Sequence, residues 1–199
     1  MMKKLAPTRK ITLYLARTGR TVWEEQARIE SNAGVPLSEF GVDEVLRLAG
    51  ELGDCSVSAV YYPPGEAEKQ TAKLLAKKLG VKRHTVEELR EIDYGLWQGL
   101  TADEIKRRQP RVFRQWRKTP KTVQPPGGES LGDVEQRLRR AVRDIIRRRK
   151  GTGSPLLVLR PVALTLLRSI VREEDVETLW CHGDPDFTWG AYETDDHLI

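Results

Sequence analysis

Cysteine and histidine are both scarce in this chain of 199 residues: two cysteines, Cys55 and Cys181, and three histidines, His84, His182 and His197. Their spacing matches no metal-ligand pattern, so no metal site is expected from them, and no cofactor is implied. Two thiols could pair, but a domain of this length needs no covalent staple, and two free thiols are the expectation. Long hydrophobic runs are missing as well. The stretch Ile11 to Ala16 is interrupted by Thr12 and stops at Arg17. It is too short for a signal-peptide core or a membrane span, which points to a cytoplasmic protein without membrane association. No repeat, low-complexity tract or interdomain linker stands out. One domain over residues 1–199 is expected, with 1–10 as a flexible N-terminus.

What is present is charge. Charged residues make up 32% of the chain against 39% hydrophobic, the balance of a soluble globular protein, and the formal net charge is +5. A basic balance permits anionic partners without requiring them. Much of it lies in one segment that carries Arg137, Arg139, Arg140, Arg143, Arg147, Arg148, Arg149 and Lys150, only partly offset by Glu135 and Asp144. The plain reading is a solvated helix face opposite an apolar stripe. The sharper reading is a patch for an acidic protein or a nucleic acid. Aromatic residues are not interleaved there, so the segment offers no platform for stacking bases, and nucleic acid is the less favoured partner.

Strand and helix signals alternate along the chain, which argues for a layered α/β fold. Ile11–Ala16 suits a buried strand. Ser38 is a plausible N-cap for a helix with Val42, Val45, Leu46, Ala49 and Leu52 on one face. Val57–Tyr61 reads as a second strand, broken by Pro63-Pro64-Gly65. A helix from about Glu66 to Leu79 ends at Gly80. Thr101-Ala-Asp-Glu104 is a capping box for a short helix that stops before Pro110. Ser130 to about Arg149 is a long helix with Val134, Leu138, Val142, Ile145 and Ile146 as its stripe. Leu156–Leu159 is a buried strand, and Pro161 fits the first turn of the helix after it. Ligands of open α/β sheets bind beyond the carboxyl ends of the strands, so the junctions at 17–21, 62–66 and 160–162 are where a pocket is expected.

Several segments, in order, resemble motifs of the histidine phosphatase superfamily, the phosphoglycerate mutase-like proteins. Arg17-Thr-Gly-Arg-Thr21 is similar to the Arg-His-Gly-Glu-Thr that ends the family's first strand. Arg28 and Val35-Pro-Leu-Ser-Glu-Phe-Gly41 follow, then Gln70-Thr-Ala72 on the second helix. Leu89-Arg-Glu-Ile-Asp-Tyr-Gly-Leu-Trp-Gln-Gly99, Phe113 to Trp116 and Pro126-Gly-Gly-Glu-Ser130 complete the series. The resemblance implies a three-layer α/β/α sandwich with a mixed, mostly parallel central sheet.

The chemistry-bearing positions diverge from that family. Its enzymes hold a phosphoryl group with two arginines and two histidines, and a carboxylic acid protonates the leaving group. By motif, Arg17 keeps the first arginine and Glu91 keeps the acid. Thr18 stands where the nucleophilic histidine belongs, Glu66 at the second arginine and Arg20 at a glutamate. Arg160 or Pro161 falls at the second histidine. No catalytic residue is therefore expected to function at these positions. The implied protein is a pseudoenzyme, with the rival being an active phosphatase or mutase that uses Thr18 or water, with Glu91 as acid or base. Thr18 with Glu91 would need that carboxylate ionised and within reach of the hydroxyl. The expected remnant is a weak phosphate or sulfate site at Arg17, helped by Arg28 or Arg160 and walled by Trp23. A protein partner and a second copy of the chain are the other partners considered. Arg20 and Glu66, both inverted in charge, are expected to pair across the old pocket mouth. Cys181-His182-Gly183 is read as a surface or edge segment. The other tryptophans, at 97, 116, 180 and 189, are expected in core packing.

Overall fold

The structure is a computed structural model that describes residues 10–31, 34–149, 152–182 and 187–194. The N-terminal segment expected to be flexible lies almost wholly outside them. Five strands form one sheet: β1 (Ile11–Arg17), β2 (Val57–Tyr62), β3 (Lys82–Thr85), β4 (Ser154–Leu159) and β5 (Trp189–Thr194). Their order is β3-β2-β4-β1-β5. Neighbours from β3 to β1 run parallel, and β5 alone is antiparallel, beside β1. The sheet is therefore mixed and mostly parallel, as the resemblance implies.

The side-chain period of two divides the sheet into two apolar faces. Leu13 and Leu15 of β1, with Leu157 and Leu159 of β4, pack against α6 (Leu131–Arg148) and α7 (Pro161–Arg172). Ala16, Val60, Leu156 and Val158 look the other way, onto α2 (Glu39–Glu51) and α3 (Glu66–Leu79). All six residues of β4 are buried, as befits a central parallel strand covered on both faces. The remaining helices are α1 (Val22–Glu25), α4 (Ala102–Arg108), α5 (Pro110–Lys118) and α8 (Val176–His182).

Local signals explain most boundaries. Ser38 caps α2 by accepting from the Gly41 N–H at 3.0 Å, and Ser130 caps α6 through Asp133. Thr101 and Glu104 form the expected capping box, and α3 stops at Gly80 in the left-handed conformation. Pro110 does not merely end one helix. It opens α5, where a missing N–H costs nothing. The loop after β1 crosses the start of α2 so closely that a Cβ on Gly19 would sit 2.6 Å from the Gly41 carbonyl oxygen. A Cβ on Gly41 would collide with the Arg20 backbone. Both glycines are thus fixed by this crossing.

Two expectations need revision. Cys181 and His182, read with Gly183 as a surface or edge segment, end the helix α8 (Val176–His182), and Gly183 lies outside the described residues. The edge strands of the sheet are β3 and β5, and the sequence reading missed β5. Trp97 and Trp116 are core residues, as expected, and their rings meet edge to face at 5.7 Å. Cys55 is a free thiol. Among the described residues no helix is long and apolar enough to cross a membrane.

Candidate functional site

The site lies at the carboxyl ends of β1 and β4. Arg17 pairs in register with Leu159, and the Thr18 N–H donates to the Leu159 carbonyl at 2.9 Å. Thr18 and Arg160, the next residues on each strand, are thereby set side by side. Arg160 rather than Pro161 occupies the inner position, because Pro161 begins α7 and is exposed.

Arg160 is only 2% exposed, among the largest fully buried side chains of the protein. Carboxylates surround it. Its Nη2 lies 3.1 Å from Glu30 and 3.7 Å from Glu24, and its Nη1 lies 3.5 Å from Glu68. Arg17 joins the same network through Glu24 at 3.1 Å. Thr21 ties it to the backbone. Its hydroxyl donates to Glu30 at 2.6 Å and accepts the Glu24 N–H, as half of a capping box on α1. The result is a continuous chain of charge from Arg17 through Glu24 and Arg160 to Glu30.

Glu91 is buried beneath this network. One of its oxygens accepts the Ile92 and Ala163 N–H groups at 2.7 and 3.1 Å, and the other accepts the Val162 N–H at 2.8 Å. It caps the start of α7, where Arg160 offers no side-chain cap of its own. Burial pushes the Glu91 carboxyl above the ordinary range, against those three donors and the Arg160 charge. Burial likewise raises Glu68, with Arg160 opposing. Three buried polar atoms at the site, Thr18 Oγ1 and the Nε and Nη1 of Arg160, have no hydrogen-bond partner among the described residues.

Several expected site residues are elsewhere. Arg20 does not pair with Glu66. Its Nε lies 3.1 Å from Glu44, while Glu66 pairs with Lys69 at 3.5 Å and accepts from Gln70 at 2.9 Å. The reason is helical geometry. Glu66 falls on the solvent side of α3, whereas Glu68 shares a face with the buried Thr71, Ala72 and Leu75 and so projects inward. Arg28 is exposed and donates to the Gly99 carbonyl at 2.8 Å rather than joining the charge network. Trp23 packs toward Gly99. The sequence reading missed Glu24, Glu30 and Glu68. The usable signals were the Thr21-x-x-Glu24 capping box and the three- and four-residue spacing that puts Glu68 beside Thr71 and Ala72.

Arg137 is also misplaced by the expectation of a solvated basic face. It is 4% exposed. Its guanidinium donates to the main-chain oxygens of Glu88, Arg90 and Glu91, and bidentately to Glu129. It therefore fixes the loop that carries Glu91.

This geometry sits within a recognisable family. Residues 13–196 match the model of the histidine phosphatase superfamily (branch 1), and the chain belongs to that superfamily. Phosphoserine phosphatase 1 of Hydrogenobacter thermophilus is 26% identical over 173 residues, which cover 87% of this chain and 82% of the relative. The solved structure of Bacillus stearothermophilus YhfR is 32% identical, with a TM-score of 0.79, over 85% of this chain and 84% of that one. A mycobacterial glucosyl-3-phosphoglycerate phosphatase is 25% identical with a TM-score of 0.81, over 92% of this chain and 90% of that one.

Proposed function

We propose that this chain is a catalytically silent member of the histidine phosphatase superfamily, in which the phosphoryl pocket has become an internal ion cluster. The observation that carries the reading is the buried Arg160, held by Glu24, Glu30 and Glu68 at one of the two positions, 160 and 161, where the family resemblance puts its second histidine. A phosphoryl group entering there would face those carboxylates and Glu91. Each like-charge pair at about 4 Å repels by roughly 4 kcal/mol at an effective dielectric near 20. The arginines do not offset this, because both are already engaged: Arg17 with Glu24 and Arg160 with its three glutamates.

The nucleophile position supports the same reading. A threonine hydroxyl attacks phosphorus poorly unless a neighbouring base takes its proton. The Thr18 hydroxyl has no hydrogen-bond partner among the described residues, and both oxygens of Glu91 are committed to backbone N–H groups. Phosphate or sulfate at Arg17 shares that guanidinium with Glu24, which already holds its Nη2, so any binding there is weak.

The test is turnover of p-nitrophenyl phosphate, phosphoserine and glucosyl-3-phosphoglycerate by the purified chain, with intact-mass detection of a phosphorylated protein. The expected result is no turnover above background and no phosphoprotein, for the native chain and for Thr18→His alike. In coupled catalytic units the loss of one essential group costs on the order of 10⁶ in rate, and one restored imidazole leaves the carboxylates in place. Turnover that disappears in Thr18→Ala or Glu91→Gln would overturn the proposal.

A further inference from the structure

A second pocket shares no residue with the Arg160 cluster. It is a groove between α6 and the β2–β3 edge of the sheet. Residues of β3 alternate between the two sheet faces. Arg83 goes to the α3 side, where it donates to the Tyr62 hydroxyl at 2.9 Å, so Lys82 and His84 take the α6 side. His84 is the register partner of Tyr61 on β2, and the two rings stack with centroids 5.3 Å apart and planes 28° from parallel. Across from them α6 contributes Arg140, Asp144 and Arg148. The space enclosed is about 980 Å³. Ordinary small-molecule sites occupy roughly 300–1,000 Å³.

The charge around this groove is unevenly spent. Asp144 lies 3.6 Å from Arg148. Arg149 donates to the main-chain oxygens of Thr152 and Gly153, which leaves its charge unbalanced. Among the described residues neither Lys82 nor Arg140 has an ion pair, and Glu88 is the one other carboxylate in the lining. A groove with a stacked ring pair and an excess of cations is matched to a particular kind of molecule.

We infer that this groove binds a planar aromatic ring bearing a phosphate, the chemistry of a mononucleotide. The ring lies against the Tyr61–His84 pair, where every base offers a π-face. The phosphate meets Lys82, Arg140 and Arg149, whose N–H groups form charge-assisted bonds to its oxygens. The inference is independent of the silent Arg160 site and survives or fails without it.

The experiment is isothermal titration of the full chain with adenosine monophosphate, with adenosine, inorganic phosphate and a short single-stranded oligonucleotide as separate arms. Adenosine monophosphate should bind with a Kd of about 1 mM or tighter, and adenosine and phosphate about 10-fold more weakly. Arg140→Ala and His84→Ala alter exposed side chains and should leave the melting temperature unchanged, while each weakens binding by about five- to ten-fold. The inference is overturned by no binding at millimolar nucleotide, by equal binding to both variants, or by phosphate alone binding as tightly. Tighter binding of the oligonucleotide per nucleotide would also overturn it, because the groove would then serve a polymer.

Discussion

The regions around Arg137 and Arg160 each bury an arginine, and they do so differently. Around Arg137 every one of the five guanidinium N–H groups has an acceptor: three main-chain oxygens and both oxygens of Glu129. Around Arg160 the Nε and Nη1 lack hydrogen bonds, although three carboxylates lie within 3.7 Å. Arg137 is held by directional bonds and Arg160 mainly by charge. The contrast indicates which region is shaped for a guanidinium. The fork geometry of Arg137 fits its surroundings. The surroundings of Arg160 match its charge but not its fork of N–H groups.

The largest expected effect comes from removing the less well-bonded arginine. Arg160→Met leaves Glu24, Glu30 and Glu68 facing one another and should cost about 3–5 kcal/mol of unfolding free energy near neutral pH, read from urea denaturation. That loss should shrink as the pH falls and Glu68, raised by burial, takes up a proton. Arg137→Met should cost about 3 kcal/mol, with relief in acid confined to the part owed to Glu129, because the three main-chain oxygens left without donors do not titrate there. If the two variants respond alike to pH, the distinction between charge and hydrogen bonding is wrong.

A finer test uses the glutamates. Burial raises Glu68 above its ordinary 4.5 despite Arg160, so the folded state holds that proton more tightly. Its contribution to stability is present below the unfolded value and is lost as pH rises through the folded one. Glu129 behaves in reverse. Burial pushes it up, but the Arg137 hydrogen bonds, the Asp93 N–H and the two arginine charges outweigh that and leave it lowered. Its contribution is present above the unfolded value and is lost as pH falls through the folded one. Glu68→Gln should therefore flatten the decline of stability above about pH 4.5, and Glu129→Gln the decline below it. Urea midpoints measured across that range check both slopes.

Much of the fold could be read from the sequence because its signals are local. The Ser38 and Thr101 caps, Gly80 after α3, Pro161 opening α7 and the apolar stripe of α6 each act within a few residues. β5 escaped because Trp189-Gly-Ala-Tyr-Glu-Thr194 lies at a sheet edge and is mostly half-exposed, so no apolar run marks it. At the site, Arg17, Thr18, Glu91 and Arg160 were found because strand ends and motif order fix them. Their partners were not, since a partner is set by which way a side chain projects. Glu66 and Glu68 are two residues apart on one helix and face opposite environments. Arg137 looked like one more cation on a basic helix, and only packing against the 88–91 loop reveals it as internal.

The bonds from Arg137 to the Glu88–Glu91 loop end on peptide oxygens, and every residue type supplies one. Side chains along that stretch can be exchanged without cutting the mooring, while the opposite end depends on a single guanidinium. The buried Leu89 and the Glu91 carboxylate on α7 tie the loop to its own sequence, and the rest of the mooring is hostage to one position on a neighbouring helix.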